Sequence, residues 1–303
     1  MKKVQTAAGP SDVSSLQASD QAVKENQFLQ VMKRLTYNKG AMVGLILFLF
    51  VAVVAILAPW IAPYDYVAID ARSRFLYPCL AHPFGTDQMG RDILSRVMIG
   101  ARYSLVIGVG SVIFSAVFGV ILGSIAGFYG GFWDNLIMRI CDIIQSIPGM
   151  IFNIALACVL GPGVGNLILA LGTEGIAGTA RLMRSSILNV RKMEYMDAAR
   201  IGNCSNPAII LKHVRPNTFA PILVQATMGV GARIMMAASL SYVGIGIQPP
   251  TPEWGAMLAD SKNFIMQYPY MCLIPGACIM IVVLSLNLLG DGLRDALDPK
   301  LKQ

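Results

Sequence analysis

The chain has 303 residues, of which 55% are apolar and only 14% charged, and it carries a formal net charge of +7. Soluble domains carry about 25% charged residues, so this composition excludes an ordinary water-soluble globular protein. The stretches 41–62, 104–128, 143–173 and 268–290 contain no Asp, Glu, Lys or Arg. Each is as long as the roughly 20 apolar residues a helix needs to cross a bilayer, and their continuity, without alternation, excludes a transmembrane β-barrel.

The first thirty or so residues are polar, and no apolar segment follows the opening "MKK" as a secretory signal would require. The first span is therefore expected to stay as an anchor. Residues 1–25 read as a disordered cytoplasmic tail. Over residues 26–40, Phe28, Met32 and Leu35 share one helical face while Lys33 and Arg34 lie off it. That pattern fits a short amphipathic helix on the membrane surface, and it fits a plain juxtamembrane linker equally well.

A six-span domain is expected over 41–303, with spans at about 41–62, 104–128, 136–160, 166–184, 217–243 and 268–290. The 143–173 run is too long for one straight helix, and "GPGVG" at 161–165 turns it into a hairpin. Lys and Arg set the orientation. With both termini in the cytoplasm, seventeen of them lie in inner segments and six in outer loops. This topology accounts for the positive charge without nucleic acid. Five of the six outer ones crowd into the loop 63–103.

That loop holds "HPFGTDQMGRDILSR" (82–96). Asp87 is expected to cap a helix starting near Gln88, and Asp92 and Arg96, spaced i, i+4, to support it. Ile93, Leu94, Val97 and Met98 would give it an apolar face. His82 and His213 fall on opposite sides of the membrane, and the six cysteines form no CxxC pattern. Neither a metal site nor a disulfide framework is expected.

In span 2, Gly119, Gly123, Gly127 and Gly131 recur every four residues, a bare ridge that lets another helix approach closely. Glu174 in span 4 and Arg233 in span 5 are costly in lipid and should face a cavity or a partner. One reading has them line a translocation path; the other has them pair as structural ions. Pro148 and Pro275 are expected to kink spans 3 and 6. Asn153, Asn166 and Asn287 fit interhelical hydrogen bonding. After span 5, "PPTPEWG" (249–255) reads as a stiff turn with Trp254 suited to the membrane interface, and it fits an element of an outer mouth and a simple interfacial anchor equally well.

Between spans 4 and 5 lies a cytoplasmic loop, 185–216. In "MEYMDAAR", Glu194 and Asp197 come early and Arg200 late, the order that suits the helix dipole. Gly202 and Asn203 end that helix, and Asn206 with Pro207 starts another that runs to Pro216. Two short helices at a sharp angle result, with Ala198 and Ala199 leaving a close-approach surface.

"YMDAARIGNCSNPAIILKHVRPN" resembles the EAA loop of ABC-importer permeases. "HPFGTDQMGRDILSR" and "PPTPEWGAML" (249–258) are similar to signatures of the dipeptide/oligopeptide/nickel branch, in its C-type subunit. The resemblance spans nearly the whole chain from about residue 28. It implies a six-span type I importer permease in the bacterial cytoplasmic (inner) membrane, paired with a second homologous permease. It further implies two ABC ATPase subunits that hold ATP and Mg, and an extracytoplasmic substrate-binding protein. By the same resemblance, Asp197 stands for the family's Glu, Ala198 and Ala199 for its alanines, and Pro216 for its closing proline. The family's glycine position is Asn203 here, with Gly202 one place early. Glu194 and Arg200 complete the coupling set.

No Walker A pattern, GxSxG elbow or HExxH is present, so this chain is expected to be no enzyme and to bind no cofactor itself. Dipeptides or oligopeptides are the expected cargo. The same machine carrying nickel chelates, glutathione or another small solute is the alternative, and a stand-alone secondary transporter or channel is the alternative of a different class. A membrane enzyme ranks behind these.

Overall fold

The computed structural model describes residues 33–191, 193 and 215–297. Among these residues the regular structure is helical, apart from one isolated antiparallel bridge between Thr86 and Asp92. Residues 33–37 form a short helical segment that ends at Asn38. The tail 1–25 and the apolar residues Phe28 and Met32 lie outside the described residues.

Helix α1, Lys39–Ile61, starts where the Asn38 side chain accepts a hydrogen bond from the Ala41 N–H. It is apolar on every side, as suits a span in lipid. Its small residues turn inward, and Gly44 lies against the backbone of Ser285 and Leu289.

Helix α2, Ile93–Tyr129, is 37 residues long. At 1.5 Å per residue it reaches about 55 Å, well beyond the roughly 30 Å of bilayer hydrocarbon. The expected outer helix near Gln88 and the expected span from 104 are thus corrected to one continuous helix. Asp87 does not cap it. Gly90, at φ +78°, keeps the chain turning after Asp87, and the Asp87 carboxylate accepts from the N–H groups of Met89 and Arg91. Asp92 is the cap instead, accepting from the Ser95 N–H at 2.7 Å. It makes no i, i+4 pair with Arg96, whose guanidinium turns instead to Asp87, Asp260 and the Tyr66 carbonyl.

Over the expected third span, where Pro148 was expected to kink the helix, the chain forms a bent pair. Helices α3, Gly131–Ser146, and α4, Gly149–Leu160, meet at 92° where Ile147 and Pro148 are extended. Pro148 supplies no backbone N–H to continue α3, so the chain breaks there rather than bending gently. Gly161 and Gly163, both at positive φ, then turn the chain into α5, Val164–Val190. Helix α6, Arg215–Tyr242, begins with Pro216 in its first turn. A short helix not expected from the sequence, α7, Trp254–Ser261, precedes α8, Tyr270–Leu297, which contains Pro275.

By length and composition, α1, α2, α6 and α8 can each cross a membrane, and the bent pair α3–α4 would make a fifth crossing. Helix α2 is the centre of the bundle and lies against α5, α6 and α1, while α8 packs between α1 and α6. The closest seam follows the glycine ridge. A Cβ on Gly119 would come within 2.5 Å of Thr179, and one on Gly123 within 2.4 Å of the Ala180 carbonyl. Gly127 faces Ile187 and Arg184 on the same side of α5. Gly131 is not part of this ridge. Helix α2 ends at Tyr129, so Gly131 opens α3 at φ +54° with no neighbour within 4 Å.

Trp254 is corrected from an interface anchor to a core residue. It is 1% exposed, and its indole N–H donates to the Val97 carbonyl. Glu253 beside it is fully buried. Its carboxylate caps α7 at the Ala256 N–H and accepts from the Ser104 hydroxyl.

Candidate functional site

Glu174 sits near the middle of α5 and Arg233 near the middle of α6. Glu174 is ten residues from the start of α5 and Arg233 nine from the end of α6, about 15 Å along each helix. The structure brings them together: the Arg233 guanidinium donates to the Glu174 carboxylate. The pair is not sealed off, since the side chains keep 17% and 30% of their exposure respectively.

Small residues make room for it. A Cβ on Gly175 would stand 2.5 Å from Arg233 Nη2 and 2.8 Å from Ser115 Cβ. A Cβ on Gly149 of α4 would stand 3.3 Å from Glu174 Oε1. Beside the pair opens a cavity of about 60 Å³, lined by Arg233 with Ser115, Thr179, Gln225, Gly229 and Val112 among others. The Ser115 and Thr179 hydroxyls donate to carbonyls of their own helices, which leaves their oxygens able to accept. One turn from Gly149, Asn153 is fully buried, and its amide oxygen and nitrogen have no hydrogen-bond partner among the described residues. Asn166 instead ties the α4–α5 turn, donating to the Leu160 and Gly161 carbonyls. Asn287 is exposed on α8.

Toward the other end of α5, Arg184 forms a two-pronged pair with Asp134 of α3, one arm at 2.6 Å, and Arg181 reaches Asp142 and Gln145. Arg191 donates to the Gly127 and Phe128 carbonyls at the end of α2. Cations thus hold α3, α5 and the end of α2 together at the place where the chain leaves for the 185–216 loop. Of the coupling set, Glu194, Asp197, Ala198, Ala199, Arg200, Gly202 and Asn203 lie outside the described residues.

At the opposite end, sequence reasoning missed a buried charge network. Asp87 holds Arg91 at 2.6 Å and Arg96 at 3.6 Å, and Asp260 of α7 takes both arginines from the far side at 3.4 and 3.9 Å. Burial pushes the Asp260 carboxyl above its ordinary pKa, and the two arginines oppose that rise. His82 pairs with Asp92. Among the described residues no cluster of three or more metal-ligating side chains occurs.

Residues 119–303 match the family described as "Binding-protein-dependent transport system inner membrane component", and residues 26–81 match "N-terminal TM domain of oligopeptide transport permease C". The chain belongs to this transport family. It is a permease subunit of an ABC importer, a multi-pass protein of the bacterial inner membrane. The permease is 46% identical over 276 residues to the glutathione transport system permease protein GsiD of Escherichia coli O6:K15:H31, covering 89% of each chain. It is 43% identical over 283 residues to the dipeptide transport system permease protein DppC of Alkalihalophilus pseudofirmus, covering 93% of each. Among solved structures it resembles the inward-facing MetNI methionine ABC transporter, with a TM-score of 0.55 and 17% identity over 68% of this chain and 98% of that one. An amino acid ABC transporter gives a TM-score of 0.54 at 13% identity, over 67% and 95%. These structural likenesses carry the fold. The permease itself has no catalytic activity; ATP hydrolysis belongs to a separate subunit, and the family also implies a substrate-binding partner.

Proposed function

We propose that this permease imports dipeptides or oligopeptides and forms half of the translocation pathway. A second homologous permease would supply the other half. Two ATPase subunits, holding ATP and Mg, would dock at the cytoplasmic loop 185–216, and an extracytoplasmic binding protein would deliver cargo to the opposite end. Both termini would be cytoplasmic, with α5 completing six crossings. The observation that supports this reading most is the 43% identity with a dipeptide permease along 93% of both chains. The coupling role rests on Glu194, Asp197, Ala198, Ala199, Arg200, Gly202, Asn203 and Pro216, whose pattern matches the EAA loop. Cation-bridged contacts among α3, α5 and α2 beside that loop suit a part that must transmit force. Glu174 and Arg233 would line the path.

Glutathione is a second reading, favoured by the 46% identity with a glutathione permease. The test is to co-express the chain with its partners, purify the complex and measure ATP-dependent uptake of labelled dialanine and glutathione into proteoliposomes. Uptake of dialanine that requires binding protein and ATP is expected. A permease purified alone that transports at full rate would overturn the importer reading of the loop.

A further inference from the structure

We infer that Glu174 and Arg233 form a charge-exchange station for the two ends of a zwitterionic cargo, a step that rests on the peptide reading above. The pair joins α5 to α6, and within a membrane either charge alone would be expensive. It is partly open, at 30% and 17% side-chain exposure. A neutral polar wall of Ser115, Thr179 and Gln225 adjoins it, and Asn153, one turn from the Gly149 that touches Glu174, holds an unpartnered buried amide.

A buried ion pair offsets its desolvation only where further hydrogen bonds satisfy its remaining donors and oxygens. This pair instead stays partly open, and its guanidinium lines a cavity where a cargo's polar ends could supply those bonds. A peptide with a free amine and a free carboxylate carries the mirror image of the pair. Its carboxylate can take the guanidinium in a two-pronged contact while its ammonium takes Glu174. One ion pair becomes two, and no charge stands unpaired during the exchange. The desolvation cost that opposes moving a zwitterion across a low-dielectric layer is thereby offset where it meets the pair. The cavity itself is small, about 60 Å³, so the peptide ends meet the pair from its open side rather than being enclosed by this chain.

The experiment uses the whole reconstituted complex and labelled dialanine, with Arg233→Gln, Glu174→Gln, Arg233→Lys, Glu174→Asp and the exchanged pair Glu174→Arg with Arg233→Glu. The expected result is assembly at wild-type yield for the Lys and Asp variants, with dialanine uptake at least tenfold slower. The exchanged pair is expected to leave uptake unrestored, because the binding protein hands the peptide over in one orientation. Uptake within twofold of wild type in the assembled Gln variants, or restored by the exchanged pair, overturns the proposal. Loss of assembly in every variant overturns it too, since the pair is then a structural tie. A wild-type complex that takes up neither dialanine nor glutathione sinks the peptide reading itself, and the station with it.

Discussion

The Trp254 indole N–H donates to the Val97 carbonyl at 3.0 Å, which fastens α7 onto the buried face of α2. The contact is made possible by Gly100, where a Cβ would stand 2.1 Å from the Pro252 carbonyl oxygen. Trp254→Ala, which removes the ring at a site this buried, should cost about 3–5 kcal/mol. Trp254→Phe keeps most of the apolar contact and should cost only about 1–2 kcal/mol, the worth of the lost hydrogen bond and some packing. Thermal melting of the purified complex in detergent measures both. Equal losses for the two variants would show that the hydrogen bond, and not the ring, holds α7.

The Asp87 carboxylate holds the arginine network. It accepts from two backbone N–H groups and faces both Arg91 and Arg96. Asp87→Ala would leave two buried guanidinium groups with Asp260 as their remaining carboxylate at longer range. Breaking a buried pair in this way costs about 3–5 kcal/mol. The 62–92 segment should then become protease-sensitive at temperatures where the wild type resists. Asp260→Ala should cost less, because Asp87 at 2.6 Å stays with Arg91.

These two clusters also show where sequence reading stops. The spans at α1 and α8 were legible because an uncharged run of about 20 residues has few other uses. Helix α2 was read in two pieces, an outer helix from near Gln88 and a span from 104, since Arg96 and Arg102 interrupt the uncharged run. Arg96 is in fact 2% exposed and paired across the fold with Asp260, a partnership between distant positions that no local pattern carries. Glu174 and Arg233 were singled out for their cost in lipid, yet their contact spans 59 positions of chain. Pro148 announced a break but not an angle of 92°. Trp254 fits a membrane interface or a core equally well by type; the burial comes from α7, eight residues that are too short to declare a helix by periodicity.

The glycine ridge makes a sharper contrast between positions of one residue type. A Cβ on Gly123 would lie 2.4 Å from the Ala180 carbonyl oxygen and 3.0 Å from its Cα. Backbone cannot step aside as a flexible side-chain end can, so Gly123→Ala should separate α2 from α5 and cost about 1–3 kcal/mol or more. Gly165, in α5, has nothing within 4 Å and no positive φ. Gly165→Ala should be neutral or stabilise by up to about 1 kcal/mol, since Ala is the better helix former. Complex yield and melting temperature compare the two directly, and a tolerated Gly123→Ala would remove the ridge as the seat of the α2–α5 contact.

Gly175 allows a test of the ion pair without touching either charge. A Cβ there would meet Arg233 Nη2 at 2.5 Å and Ser115 Cβ at 2.8 Å. Gly175→Ala should therefore push the guanidinium out of its seat and strain α2 against α5, at a cost of about 1–3 kcal/mol. The two effects separate in the double variant with Ser115→Gly. Removing the Ser115 side chain relieves the helix contact but leaves the methyl group in the guanidinium's place. The double variant should recover most of the melting temperature while dialanine uptake stays low. Recovery of uptake together with stability would mean that packing of α2 on α5, rather than the position of Arg233, limits transport.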